Sequence, residues 1–216
     1  MDIDPLEWLD QESRYERLEE EVKPALNLLQ YSECLDKVLR LWVRREVLKE
    51  RQATLQNVNS PEDKGLLVQW SRDQWGHRLN ELFLQKKQEL DVVSFNYLRV
   101  GNQAVALELY HRLKEGESTF SELSRMYAVG PDSQKDPLKK NQRVGNLPEG
   151  IRQLIKRMNV GQLSKPMQIK TDFLLVRVEE FAPVQFSESI QEKLLIDQFA
   201  SWAAQVAQIS HDRLTS

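Results

Sequence analysis

The chain has 216 residues, of which 40% are hydrophobic and 29% are charged, and its formal net charge is −3. This composition can fill the core of one large domain or two small ones, and the near balance of charge gives no indication of a nucleic-acid or anionic membrane partner. Cys34 is the only cysteine, so an intramolecular disulfide is excluded. We interpret Cys34 as a buried structural thiol, with a reactive thiol as the alternative.

The N-terminal segment predicts neither secretion nor membrane insertion. Its first residues, MDIDPLEWLDQESRYERLEEE, are acidic and contain no apolar run of the kind that a signal peptide needs. No segment of the chain approaches the roughly 20 consecutive apolar residues of a transmembrane helix. We therefore expect a cytoplasmic protein with no membrane span.

The chain from Leu6 to about Leu90 has a helical pattern. Apolar residues recur there at three- and four-residue spacing, which is the period of a helix that buries one face. The clearest stripe consists of Leu35, Val38, Leu39, Trp42, Val43 and Val47.

The pattern changes to strand at LDVVSFNYLRV, where apolar and other residues alternate. A helix is predicted next, from Asn102 to about Lys114, and Gly116 is placed to end it. Thr119 and Glu122 then have the spacing of a capping box, in which each residue satisfies a backbone amide of the other, so a second helix should follow.

Residues 130–143 predict an exposed loop, because they include two prolines and the basic residues Lys135, Lys139, Lys140 and Arg143. These cations can be a solvated face or a docking patch for acidic peptide segments. A short helix should run from Pro148 to about Met158, followed by strands at 166–169 and 172–178.

The last of these strands is apolar on both faces. Phe173, Leu175 and Arg177 alternate with Leu174, Val176 and Val178. A strand with this composition should be covered on both sides.

A final amphipathic helix follows Ser187, and its long apolar stripe must be covered. We expect the N-terminal helices to cover it, giving an α+β fold in which a helical domain from both chain ends carries an inserted module. The predicted boundaries are residues 1–90 for the N-terminal helical domain, 91–183 for the module with a small, mainly antiparallel sheet, and 184–216 for the C-terminal helix.

Several sequence segments of the module resemble those of a parvulin-type peptidyl-prolyl isomerase domain, and the similarity covers residues 92–182. NYLRV, RLKEGESTFSELSRMYA, VGNLPEGI, VGQLSKPM and TDFLLVRVEE occur in the order and spacing of the family's motifs, whose first strand has the form His-Ile-Leu-Val. The helical flanks further resemble parvulin-like proteins of cyanobacteria, which are associated with peptide export.

The resemblance implies positions for the family's site residues. Two histidines that face each other across adjacent strands correspond to Asn96 and Leu174, a Cys or Asp corresponds to Gly130, and a Ser or Thr corresponds to Thr171. Leu174 is apolar, so the pair of imidazoles cannot form.

The residues that seat the proline ring in the family are a Met and a Phe. They correspond to Leu147 and Ile151, and with Phe173 these form the expected peptide-binding set. Leu147 and Ile151 also have the spacing of ordinary core residues on one helix.

The resemblance implies a foldase-like protein that binds proline-containing or unfolded segments, with weak or lost isomerase activity. The alternatives are a non-catalytic peptide-binding chaperone or adaptor for a peptide exporter, and a purely helical scaffold. We expect no metal, because the histidines His77, His111 and His211 share no ligand spacing. We expect no cofactor, because the sequence has neither a Walker motif nor a dinucleotide-binding fingerprint.

Overall fold

The computed structural model of the chain describes residues 2–31, 34–51, 61–130 and 136–215. These elements form two compact units, one containing residues 1–84 and 186–216 and the other residues 85–185. In chain order the helices and strands are α1 (Pro5–Asp10), α2 (Arg14–Val22), α3 (Leu26–Tyr31), α4 (Leu35–Glu50), α5 (Pro61–Trp75), α6 (Leu79–Leu90), β1 (Val92–Val100), α7 (Gln103–Glu115), α8 (Phe120–Tyr127), β2 (Leu138–Arg143), α9 (Glu149–Ile155), β3 (Met167–Ile169), β4 (Asp172–Ala182) and α10 (Glu188–Thr215).

The first unit is a helical core made from both ends of the chain. Helix α10 packs against α1, α4 and α5. Trp202 of α10 has its ring centroid 5.0 Å from that of Trp8 and 5.1 Å from that of Trp70. This packing removes the apolar stripe of α10 from water, which is the main favourable term in its association with the earlier helices.

A carboxylate at the end of α4 ties this aromatic core together. Glu50 accepts hydrogen bonds from the indole nitrogens of Trp8 and Trp70, both at 3.0 Å, and from the guanidinium of Arg14 at 2.8 Å. Arg14 is itself buried and also donates to the backbone carbonyl of Trp8. Two buried indole nitrogens and a buried guanidinium therefore donate to one side chain, so its loss should be costly.

The second unit contains a four-stranded sheet in the order β2-β1-β4-β3, and every neighbouring pair is antiparallel. Helices α7 and α8 pack against the central strands, with α7 contacting both β1 and β4. The α+β class, with a helical part from both chain ends and an inserted module, is confirmed.

The helix boundaries of this unit follow the signals in the sequence. Asn102 caps α7 through its side chain, and Gly116 ends it with φ 75°, a left-handed conformation that glycine adopts without steric cost. Thr119 and Glu122 form the expected capping box at the start of α8. Local sequence therefore determines where these two helices begin.

The prediction that residues 130–143 are a loop is wrong for their second half, which forms β2. Its sequence, LKKNQR, has no apolar alternation, and β2 lies at the edge of the sheet, where only one side is paired. Lysines on an edge strand also discourage pairing with another chain. Lys135 lies outside the described residues.

Two further expectations concern the ends of elements and the single thiol. Helix α9 is shorter than predicted, since it covers Glu149–Ile155 and does not reach Met158. Cys34 is only partly buried, at the residue before α4, so the expectation of a buried thiol is wrong.

Within the part of the chain that the structure describes, no helix has the length and apolarity needed to cross a membrane.

Candidate functional site

Strand β4 is apolar on both faces because it separates two clusters. Leu174, Val176 and Val178 belong to one cluster and are at most 1% exposed, while Leu175 belongs to the other and is fully buried. The two-sided coverage expected for this strand is confirmed. We call the side of the sheet with Leu174 the site face and the side with Leu175 the reverse face.

The site face combines a buried floor with a border of half-buried apolar side chains. The floor consists of Val93, Phe95, Val144, Leu147, Ile155, Leu174, Val176 and Val178, and the border of Tyr97, Ile151, Leu154, Met158, Met167 and Ile169. The border residues keep part of their apolar surface in water, which is the arrangement expected of a surface that can bind an apolar group.

Three of the sequence-predicted residues meet on this face. Leu147 follows the 3-10 turn Val144–Asn146, Ile151 lies on α9, and both pack in the cluster that contains Leu174. Leu147 is 8% exposed and Leu174 is 1% exposed, so Leu147 and Leu174 form floor while Ile151 belongs to the border.

Phe173 does not join this group. Side chains of a strand alternate between faces, and Phe173 packs against the reverse-face cluster together with Leu163. Phe173 therefore lies on the opposite face from Leu147 and Ile151, although it adjoins Leu174 in sequence. Its part in peptide binding stays a prediction.

Asn96 also lies on the reverse face. Its partner on β4 is Arg177, whereas Leu174 is paired with Arg99 of β1. Directly paired residues of antiparallel strands point to the same side, so Asn96 and Leu174 cannot face each other. The side-chain amide of Asn96 instead donates to Glu179 at 2.6 Å.

Two β-bulges shape a polar cavity around Asn96. In the β1–β4 pair, Glu179 is an extra residue of β4 that has no partner on β1. In the β1–β2 pair, the register shifts near Asn141, whose φ is 51°. A bulge lets successive residues reach the same side of a sheet. Glu179 and Glu180 both line this cavity, which has a volume of about 360 Å³ and includes Ser94 and Lys140.

Tyr97, the residue after Asn96 on β1, lies on the site face. It is paired with Val176, whose side chain is in the floor, and its own ring packs on the same cluster. The ammonium of Lys139 lies 5.2 Å from the centre of this ring. An alignment of NYLRV with His-Ile-Leu-Val that pairs Tyr97, and not Asn96, with the histidine would have predicted Tyr97 as the site-face residue.

Thr171 and Gly130 lie at the margins. Thr171 is exposed in the two-residue turn between β3 and β4, and its hydroxyl donates to Asp172 at 3.3 Å. Gly130 is exposed with φ 76°, and a Cβ built there would meet nothing within 4 Å. The residue before it, Val129, donates its N–H to the carbonyl of Arg99 at 3.0 Å, which fixes this segment to the end of β1.

The far end of the site face opens into a second cavity of about 390 Å³. Val144 and Ile155 of the floor line it together with Met158 and the 41%-exposed Phe181. Charged groups at its edge are Lys87, Asp91 and Lys156. The cavity is large enough for an apolar side chain.

The site face contains no group of metal ligands. In the described ranges no three side chains of His, Cys, Asp or Glu come together in a way that could hold an ion. Among the described strands, the polar side chains that belong to this face by strand register are Tyr97, Arg99, Lys139, Gln142 and Asp172.

Comparison with protein families identifies the inserted unit. Residues 99–180 match the family described as Rotamase, the PPIC-type PPIASE domain. The unit is therefore a PPIC-type, or parvulin-type, peptidyl-prolyl isomerase domain, and its parvulin-type resemblance is confirmed. The resemblance of the helical flanks to cyanobacterial proteins stays a prediction. Among curated proteins, none matches the chain.

Solved structures with related folds include isomerase domains and foldases. A PpiC-type peptidyl-prolyl cis-trans isomerase domain is 17% identical, with a TM-score of 0.42 over 46% of this chain and 99% of that one. PrsA from Bacillus cereus is 15% identical, with a TM-score of 0.47 over 94% and 84% of the two chains. A SurA-like chaperone of Campylobacter jejuni is 11% identical, with a TM-score of 0.40 over 97% and 85%.

Proposed function

We propose that this protein is a foldase that binds proline-containing or unfolded peptide segments on the site face and isomerises prolyl bonds only weakly. The observation that carries the proposal is the pair Tyr97 and Leu174. Both lie on the site face, and around them is a border of half-buried apolar side chains. The apolar half of a prolyl site is thus retained without its imidazoles.

The border supplies the binding energy in this proposal. Ile151, Met167 and Ile169 each retain exposed apolar surface that a proline ring or an aliphatic side chain can cover. Each Å² of apolar surface removed from water contributes about 25 cal/mol. The buried floor keeps the border side chains in place, so little ordering is required when a client binds.

Catalysis requires more than this apolar contact. The amide rotation has a barrier of about 18–20 kcal/mol, and an enzyme lowers it only with groups that interact better with the twisted state than with the planar one. A single preorganised hydrogen-bond donor is worth about 3 kcal/mol in other enzymes, or about 100-fold in rate. With Leu174 and Gly130 at two of the polar positions, we expect most of that gain to be missing.

The second candidate is a non-catalytic peptide-binding chaperone or an adaptor for a peptide exporter. Leu174 favours it, because a 1%-exposed leucine cannot polarise an amide. Client binding is common to both candidates, and measurable turnover separates them.

The cytoplasmic location expected from the sequence stays a prediction.

The decisive experiment measures binding and catalysis with the same peptide. Exchange NMR on a short proline peptide should show an acceleration at least about 100-fold below that of an ordinary parvulin. Ile151→Ala should weaken peptide binding several-fold, while Leu107→Ala, which truncates a 51%-exposed leucine on α7, should leave it unchanged. Suppression of client aggregation should follow the binding result.

Two outcomes would overturn the proposal. Ordinary parvulin rates in the wild-type protein would show that the apolar face and Tyr97 suffice for catalysis. Chemical-shift changes confined to residues of the reverse face would show that the client does not use the site face.

A further inference from the structure

An arginine lies on the site face directly beside the buried leucine. Arg99 of β1 is the direct strand partner of Leu174, so its side chain leaves the sheet on the same side as Tyr97 and the apolar border.

The guanidinium of Arg99 has no anion in the described part of the chain. Its side chain forms no hydrogen bond or ion pair there, and its Nε is buried without a partner. A guanidinium offers five donors in a planar fork that matches a carboxylate, and a buried donor without a partner is unfavourable. Arg99 is thus available to a ligand that carries a negative charge.

A second cation lies on the other side of Tyr97. Lys139 of β2 is paired with Phe95, which places it on the site face, and its ammonium lies 5.2 Å from the Tyr97 ring. It donates to the backbone carbonyl of Asp136 at 3.2 Å and has no carboxylate partner among the residues described. Tyr97 is therefore flanked by two positive charges.

The nearby carboxylates are engaged with uncharged donors. Asp172 accepts the hydroxyl of Thr171, and Asp136 accepts the backbone N–H of Leu138 at 2.9 Å. Neither forms an ion pair with Arg99 or Lys139 in the described ranges. They reduce the positive potential of the face but do not neutralise either cation by contact.

We propose that the site face selects proline segments that carry an Asp or Glu within about two residues of the proline. The inference rests on the proposed function, because it assumes that the client lies on this face. Arg99 is two residues from Tyr97 along β1, and an extended peptide advances about 3.3 Å per residue, so a carboxylate one or two positions from a proline beside Tyr97 reaches Arg99. Lys139 provides a similar contact in the other direction.

The test compares two peptides that differ only in charge. One carries Glu and the other Gln next to the same proline, and the dissociation constant of each is measured by fluorescence anisotropy at low salt. Ion pairs of this exposure favour the charged peptide modestly, so we expect the Glu peptide to bind about twofold to fivefold more tightly. The ratio should approach one at high salt, because screening weakens such pairs.

Variants at three positions assign the preference to residues. Arg99→Leu and Lys139→Leu should each reduce the ratio of the two affinities. Lys140→Leu is the matched control, since this neighbouring exposed lysine lines the polar cavity around Asn96. Arg99→Gln gives a polar alternative if the leucine variant does not fold.

Each outcome has a separate meaning. Equal affinity for the two peptides, or an unchanged ratio in both the Arg99 and the Lys139 variants, would overturn this inference and leave the proposed function standing. If neither peptide bound to the wild-type protein, the proposed function would fall, and this inference with it.

Discussion

Asn96 is the strand partner of Arg177, and this pairing places it on the opposite side of the sheet from Leu174. A one-residue difference on a strand moves a side chain to the other face. Tyr97, which pairs with Val176, is the residue of β1 that shares a face with Leu174. The distinction leads to a test in which two histidine pairs differ only by that one residue.

Tyr97→His combined with Leu174→His should raise kcat/KM for prolyl isomerisation about tenfold over the wild type. This is less than preorganised donors usually contribute, because the residues that would orient the new imidazoles are absent. Asn96→His combined with Leu174→His should give no gain, since its first imidazole lies beside Glu179 on the reverse face. Exchange NMR on a proline peptide measures both.

Both double variants place a histidine at the buried Leu174 position and therefore lose a similar amount of stability. Their activities can be compared once circular dichroism has established that each is folded. Equal gains in the two pairs, or a gain only in the Asn96 pair, would contradict the assignment of Tyr97.

Gly145→Ala should lower the free energy of unfolding by about 1–3 kcal/mol. A Cβ at Gly145 would lie 2.9 Å from the backbone oxygen of Glu89, so the turn that precedes Leu147 would have to move. Gly150→Ala is the control, because its Cβ would meet nothing within 4 Å and it lies in α9, where alanine is the better helix former. Denaturant unfolding should therefore show opposite shifts, and similar losses in both variants would contradict the close approach.

Glu50→Gln should destabilise the helical unit by about 1–3 kcal/mol. The carboxylate accepts from Trp8, Trp70 and Arg14, whereas a glutamine places an NH₂ group against one of these donors. Thermal unfolding followed by tryptophan fluorescence measures the effect. Glu20→Gln, at an exposed position on α2, should change the midpoint little, and an equal change in both variants would show that Glu50 acts only through its charge.

Glu46 should contribute a pH-dependent part of the stability. Burial acts to raise the pKa of its carboxyl, but hydrogen bonds from Lys49 and Arg17, with their charges, outweigh this effect and hold the pKa below its usual value. A carboxyl whose pKa is depressed by folding stabilises the protein above its unfolded pKa, and this contribution is lost as the pH falls through the folded pKa.

Urea unfolding of the wild type between pH 7 and about pH 3 should show this loss, and Glu46→Gln should show a smaller decrease over the same range. The variant should also be less stable at pH 7 by about 1–2 kcal/mol, because the NH₂ group of glutamine cannot accept from one of the two charged donors and its oxygen gives the other a neutral acceptor. Parallel curves for the two proteins would contradict the role assigned to Glu46.

Much of the fold could be predicted from local sequence. The capping box of Thr119 and Glu122, the left-handed Gly116 and the doubly apolar strand around Leu175 each depend on residues close in the chain. Local chemistry is sufficient there, because caps and strand alternation involve neighbours within a few positions. The parvulin-type class followed from motifs of the same short range.

Strand β2 and the face of Asn96 could not be predicted in this way. β2 is polar and is a strand only because its backbone pairs with β1, and the bulges at Glu179 and Asn141 are properties of strand pairs. From sequence alone, the resemblance predicts that Leu174 stands where the family has a histidine, and this stays a prediction. Only the tertiary structure decided that Tyr97, with Arg99 and Lys139, shares its face, because register is set by hydrogen bonds between strands far apart in the chain.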